Sequence, residues 1–371
     1  MIRILQVLPR LRRGGSQAMV MSIYRELDRT NYQFDFIIFT PDHDDYYEEI
    51  LELGGRVYHF TKLNAKNLFK VRREWDQFFR NHPEYSILHS HVRSFASIYI
   101  PIAKKHGLTT IIHSHSTSNG NNVACFIKSV LEYPLRYQAD YLFSCSTEAG
   151  KWLFGQKAIT KSNYRFIPNA IALDKFLYSV EDRERVRIQY NIGKETVVGH
   201  VGGFETPKNH VFIINCFIEF LKLRPNAKLM LVGDGTFENH IRNLCEENLI
   251  AEKVIFTGLQ SEVGPYLSAM DVFLFPSLWE GLPVSVVEAQ ASGLQIILSD
   301  TITKDVEMTD LLKYYSLTLG PEKWAQTLNG MIPTDRRPAT EENIERLAGF
   351  DCSRTIKKLE QFYSDCVRSK T

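Results

Sequence analysis

Short β-rich runs alternate with helical stretches along the whole chain, and the alternation restarts once near residue 170. Nothing else in the sequence restricts the fold as strongly. Residues 2–8 read as a buried strand, followed by Gly14-Gly15 and a helix over 16–27. Further strand-like runs fall at 34–40, 56–60, 86–90, 109–114, 140–144 and 165–167, and Pro168-Asn169 closes the series. A stretch to about residue 178 lacks periodicity and reads as a linker. A helix follows near 181–190, then strands at 196–201, 228–232, 254–257, 272–275, 295–298 and 314–317. Strand–helix–strand repetition implies a parallel sheet covered on both faces. The expectation is an α/β chain of two doubly wound units, residues 1–170 and 171–350, followed by a C-terminal helix within 351–371. Ligands of such sheets bind beyond the carboxyl ends of the strands, which points to a cleft between two rows of strand ends.

The length of 371 residues suits two domains of about 150 residues each. An apolar fraction of 44% and a charged fraction of 23% are those of an ordinary globular protein. The net charge of +1 hides an asymmetry: residues 1–170 carry 22 Lys+Arg against 15 Asp+Glu, and the rest 22 against 28. A basic first half suits an anionic partner. The six cysteines form no CxxC pair, which fits a reducing cytoplasm. The N-terminal apolar run precedes Arg10, Arg12 and Arg13, the reverse of a signal peptide, and no run approaches a membrane span. Any membrane contact is therefore expected to be peripheral.

Three strand-to-helix turns have the form of anion sites. Gly14-Gly15 lets backbone N–H groups approach a phosphate, and the next helix adds its positive end. The GxGxxG fingerprint is absent, which argues against a dinucleotide there, and a plain β–α turn is the alternative. The run Gly199-His200-Val201-Gly202-Gly203-Phe204-Glu205-Thr206-Pro207-Lys208-Asn209 puts Lys208 in a first helical turn. The dipole disfavours a cation there unless an anion shares the site. In Glu280-Gly281-Leu282-Pro283-Val284-Ser285-Val286-Val287-Glu288, Pro283 suits a first turn, so one carboxylate precedes the helix and one lies on its second turn. The free N–H groups of 282–285 can hold a diphosphate while each carboxylate accepts from sugar hydroxyls; two solvated glutamates are the alternative.

His89 and His91 end one strand, and His113 and His115 the next. Zinc ligation, general-base chemistry and hydrogen bonding to phosphate or sugar are all open to them. No Cys or Glu completes a metal set, and at least one of the four is expected to be structural. Asp42-His43-Asp44-Asp45 reads as a solvated acidic loop.

Taken together, these residues resemble family 4 of the retaining GT-B glycosyltransferases, over nearly the whole chain. The resemblance is carried by Gly14-Gly15, Ile111-Ile112-His113-Ser114-His115, Ile167-Pro168-Asn169, the run 202–209, Leu231-Val232-Gly233-Asp234-Gly235, Phe256-Thr257-Gly258 and the Glu280-x7-Glu288 signature. HSHxxS and KNH are similar to enzymes that assemble capsular, exo- or O-antigen polysaccharide. The resemblance implies two Rossmann-like domains facing a cleft, with the last helix crossing back to the first. It implies that Glu280 binds hydroxyls of the transferred sugar and Glu288 the donor ribose. Lys208 and the backbone of Gly281, Leu282, Pro283, Val284 and Ser285 would hold the diphosphate, with Gly15 approaching from the other domain. Gly258 and Leu259 would border the base. His113, or His115 after a two-residue slip, would touch the donor sugar and orient the acceptor. The family usually has an Arg where this chain has Gly203, paired with the Lys on the diphosphate. Losing that contact costs about 1.5–3 kcal/mol, and Arg10, Arg12 or Arg13 are the candidates to replace it.

The family's mechanism is a front-face substitution without a resident metal or cofactor. The implied partners are a nucleotide-sugar donor, with UDP preferred, a polyprenyl-diphosphate-linked or other glycan acceptor, and an anionic membrane surface met by Lys62, Lys66, Lys70, Arg72 and Arg73. No nucleic-acid partner is expected. The alternative, prompted by Gly203, is a non-catalytic GT-B subunit that binds nucleotide or a partner enzyme.

Overall fold

A computed structural model describes the chain except residues 13, 42–43, 65, 116–122 and 369–371, and except the side chains of 123–127. Arg13, Asp42 and His43 therefore lie outside the described residues. The chain divides into two compact units, residues 1–171 with 350–371, and residues 172–349.

The first unit is built on seven strands: β1 (Ile2–Val7), β2 (Tyr32–Ile38), β3 (Val57–His59), β4 (Tyr85–Ser90), β5 (Thr109–Ser114), β6 (Tyr141–Ser144) and β7 (Tyr164–Phe166). They lie in the order β3-β2-β1-β4-β5-β6-β7, all parallel. Side chains alternate between the sheet's faces with period two. Leu5, Val7 and Ile112 thus join one core, and Ile4 and Ile111 the other. Helix Leu68–Asn81 covers the first face, where Trp75 stacks on Tyr99 with ring centroids 4.2 Å apart. Helices Gly15–Glu26 and Cys352–Arg368 cover the second, with Tyr24, Ile356, Leu359 and Tyr363 buried. The last helix is thus part of the first unit's core, where a buried Leu→Ala change costs about 2–5 kcal/mol.

The second unit holds β8 (Thr196–Val201), β9 (Ala227–Val232), β10 (Val254–Phe256), β11 (Val272–Phe275), β12 (Gln295–Ser299) and β13 (Leu312–Tyr315), in the parallel order β10-β9-β8-β11-β12-β13. In both units the order reverses beside the first strand, the arrangement that opens a crevice at the strand ends. Close approach there demands glycine: a Cβ on Gly233, at φ +142°, would meet the Gly202 carbonyl oxygen at 2.4 Å. Among the described residues no helix is long and apolar enough to cross a membrane.

Candidate active site

In the second unit the chain leaves β8 through Gly202-Gly203 and enters a 3-10 turn, Thr206–Lys208. Lys208 therefore ends a short turn and does not lie in the first turn of the long helix His210–Leu223. Asn209 separates the two in the left-handed region, φ 57° and ψ 46°, which Asn tolerates better than most residues. Its Nδ2 donates to the Pro276 carbonyl at 3.1 Å, and the Leu278 N–H donates to the Pro207 carbonyl at 2.8 Å. These two bonds fasten the Lys208 turn to the segment after β11.

That segment carries Glu280, and Lys208 Nζ donates to Glu280 Oε1 at 2.7 Å. Both side chains are largely shielded, 20% and 16% exposed. The anion that makes a cation acceptable at this place is thus supplied by the protein itself. Phe275 lies under the ammonium, 5.0 Å from ring centroid to Nζ. Helix Val284–Ala291 begins one residue later than its sequence suggests, because Pro283 is its N-cap with ψ 98°. No side chain caps the helix and its first turn holds no acid, so its positive end is not offset locally. Glu288 lies on the second turn, partly buried. Loss of hydration raises its pKa from 4.5 to about 7, and the Lys208 charge opposes the rise.

Around this pair, the Gly233 N–H donates to the Gly258 carbonyl at 3.0 Å, which sets Gly258 and the half-exposed Leu259 beside the Gly202-Gly203 turn. A Cβ on Gly203 would touch only the Asp234 carbonyl oxygen, at an ordinary 3.4 Å. His200 and His210 were not assigned a role from sequence. Both are buried and held neutral, and His200 Nδ1 donates to the Leu274 carbonyl at 2.9 Å, so Nδ1 carries the proton. Their rings back the Lys208 turn, and Phe204 stacks on His210 at 4.2 Å.

In the first unit, the ends of β4 and β5 gather four histidine rings. His89 Nδ1 meets the Tyr363 hydroxyl at 2.8 Å, and His89 Nε2 meets His113 Nδ1 at 3.3 Å. His91 bridges Gln6 Oε1, 3.0 Å, and His115 Nε2, 2.8 Å, and His115 Nδ1 reaches Asn169 Oδ1 at 3.2 Å. Burial lowers every one of these pKa values, that of His115 to about 4, so all four rings are neutral near pH 7. His113 Nε2 has no hydrogen-bond partner among the described residues. His89, His91 and His113 bring one nitrogen each within 4.8 Å of one another, but no carboxylate or thiol joins them among the described residues, so a dication there would lack any anionic ligand. Gly15 opens helix Gly15–Glu26, again with no side-chain cap. Arg10 and Arg12 are exposed. Asp44 is not simply solvated: its Oδ2 accepts the Leu11 N–H at 3.1 Å.

The family model described as Glycosyltransferase Family 4 matches residues 13–175, and Glycosyl transferases group 1 matches residues 182–308. EpsF of Bacillus subtilis (strain 168) is 32% identical over 371 residues, covering 98% of this chain and 96% of EpsF. The chain belongs to glycosyltransferase family 4. This glycosyltransferase is also 24% identical, over 77% of either chain, to the Escherichia coli UDP-Gal:alpha-D-GlcNAc-diphosphoundecaprenol alpha-1,3-galactosyltransferase. Its fold matches that of HepE from Anabaena, solved with UDP and glucose, at a TM-score of 0.79 with 16% identity, covering 98% of this chain and 100% of HepE. The glycosyltransferase thus has the GT-B fold, made of two Rossmann-like units.

Proposed function

We propose that this glycosyltransferase moves a sugar, with retention of its anomeric configuration, from a UDP-sugar to a lipid-linked glycan in the assembly of a bacterial surface polysaccharide. The observation that carries the reading is the Lys208–Glu280 pair at 2.7 Å, set just before the uncapped helix Val284–Ala291. A donor replaces one ion pair with two better-matched contacts. Its diphosphate takes Lys208 and the N–H groups around Gly281, Leu282, Pro283, Val284 and Ser285, and its sugar hydroxyls donate to Glu280. Glu288 takes the ribose hydroxyls, Gly258 and Leu259 border the base, and Gly203 leaves room at the diphosphate. Gly15 offers backbone N–H to phosphate, and His113, with His115 beside it, meets the sugar.

In the reaction the bond from the anomeric carbon to the phosphate oxygen breaks, and its electron pair stays on the leaving UDP. The acceptor hydroxyl attacks from the same face, and its proton passes to that phosphate oxygen. Lys208 and the helix N-terminus stabilise the charge that grows there. This division of labour needs no resident metal.

For the acceptor side, Lys62, Lys66, Lys70, Arg72 and Arg73 are exposed around Phe69, which is 87% exposed. An exposed aromatic side chain with exposed basic residues on either side of it in sequence suits a peripheral contact with an anionic leaflet at the cytoplasmic face, at about 1 kcal/mol per basic residue. Flotation with phosphatidylglycerol vesicles tests this: the chain rises with the vesicles, and Phe69→Asp stays behind; a chain that ignores the vesicles refutes the membrane contact.

Gly203 supports a second reading, a subunit that binds nucleotide without transferring. A thermal-shift panel of UDP-, GDP- and ADP-sugars followed by a transfer assay on the purified chain decides between them. Transfer that Glu280→Ala abolishes supports the enzyme; nucleotide binding with no transfer to any lipid-linked acceptor supports the subunit.

A further inference from the structure

Where this chain buries an arginine for structure, oxygen acceptors meet it. Arg3 lies on Asp35 with two bonds of 2.7 Å. Arg187 donates to the carbonyls of Ala269 and Gly193, each at 3.0 Å, and Arg336 to those of Ser292 at 2.6 Å and Gly293 at 3.1 Å. Arg93 differs. Its side chain is only 17% exposed, and its Nε stands 3.9 Å from Glu132 Oε1, beyond hydrogen-bond reach. Its Nη1 is buried with no hydrogen-bond partner among the described residues. A guanidinium stays charged in a folded protein, so the burial is not relieved by loss of a proton. Buried N–H groups of a charged side chain that meet no acceptor are costly, and the cost needs a reason.

The place of Arg93 in the fold supplies one. β4 ends at Ser90, so Arg93 stands just past the carboxyl end of that strand, where ligands of such sheets bind. Trp152, on helix Thr147–Phe154, supports the guanidinium from one side, 4.8 Å from ring centroid to Cζ. The Arg93 charge also reaches His115, whose pKa it helps to lower. A planar cation held on an aromatic face keeps its donor edges for an oxyanion, and a phosphate or a carboxylate matches that fork. The four histidine rings at these strand ends are neutral, so none of them can supply the charge.

We propose that Arg93 is an anion-binding residue of the acceptor site, and that the anion it takes is a phosphate of the acceptor's diphosphate linker. The choice of acceptor rests on the proposed function. An acidic sugar in the acceptor would offer the same oxyanion chemistry through a carboxylate. In the free chain Glu132 offsets part of the charge from 3.9 Å. A phosphate oxygen supplies the hydrogen bonds that this distance does not allow. Arg93 thereby selects acceptors by their charge and takes no part in breaking the donor bond.

Calorimetry of the full chain with farnesyl diphosphate tests this, with UDP at saturation to keep the probe from Lys208. The wild type binds the probe. Arg93→Met keeps a long side chain over Trp152 and weakens probe binding about 10- to 100-fold, while UDP affinity measured alone does not move. Arg93→Lys keeps the charge but loses the fork, so the probe weakens by a smaller factor. Equal probe affinity in the wild type and a folded Arg93→Met overturns the proposal, and a lower Tm in that variant would then make Arg93 a structural partner of Glu132. If Arg93→Met does not fold, wild-type probe affinity in Arg93→Lys overturns it instead. A wild type that ignores farnesyl diphosphate but binds glucuronate through Arg93 overturns the phosphate and assigns the site to a carboxylate. Probe binding through Arg93 without sugar transfer to any acceptor sinks the transferase reading alone. Transfer by a chain whose probe affinity does not depend on Arg93 sinks this proposal alone.

Discussion

In the second unit the polar groups are charged and matched, with Lys208 on Glu280 and Glu288 close enough to feel the same ammonium. In the first unit the corresponding strand ends carry four neutral rings, joined by hydrogen bonds to one another and to Gln6, Tyr363 and Asn169. The contrast follows from what each could bind. On the proposed function a diphosphate must be met by charge, and Lys208, shielded by the Glu280 carboxylate, is the charge proposed to exchange onto it. A sugar must be met by direction, and a neutral network fixes direction without the desolvation cost of buried ions.

The contrast can be broken most forcefully at Glu280. Glu280→Ala removes charge-assisted bonds to the sugar, each worth about 1.5–3 kcal/mol, so kcat falls by about 100-fold or more while UDP affinity stays within a few-fold. Steady-state transfer with calorimetry of UDP binding checks both halves. Lys208→Ala comes next. It weakens UDP binding by about 10- to 100-fold and leaves Glu280 without this ammonium. If the two substitutions gave the same phenotype, the division between sugar and phosphate contacts would be wrong.

Gly203→Arg sharpens the comparison in the other direction. The position has room for a side chain, and a second cation should tighten UDP binding about tenfold. Unchanged affinity would mean that the missing charge is replaced elsewhere. The smallest effect is at Glu288, whose pKa in the folded chain, about 7, lies above the ordinary 4.5. The folded state keeps this proton after the unfolded state has lost it, so the group's stabilising contribution is full below pH 4.5 and is lost as pH rises towards 7. The ionised form accepts from ribose hydroxyls, so UDP affinity should rise from pH 6 to pH 8 in the wild type and stay flat in Glu288→Gln. Calorimetry across that range tests the sign.

The fold was legible because its signals are local. Hydrophobic runs such as Ile2–Val7 and Thr109–Ser114 lie between glycine turns and amphipathic helices, and the strands fall within about two residues of where the pattern puts them. Lys208 was misplaced by one kind of element, because nothing in its neighbours announces that Asn209 turns left-handed to reach the Pro276 carbonyl. Pro283 as N-cap differs from a first-turn proline only in ψ, which sequence does not carry. The partners of the histidines were out of reach for another reason. Gln6 lies 85 residues from His91, and Tyr363 lies 274 from His89, so only the parallel sheet and the returning helix bring them together. A buried polar residue inside the apolar run Ile4-Leu5-Gln6-Val7 was the one available signal, because such a group needs a partner.

The most direct measurement is a crystal structure of the chain with an intact UDP-sugar. The exchange of partners predicts Lys208 Nζ on a phosphate oxygen and the Glu280 carboxylate on hydroxyls of the sugar, with the pair between them opened. A donor bound elsewhere, with Lys208 and Glu280 still joined, would contradict it.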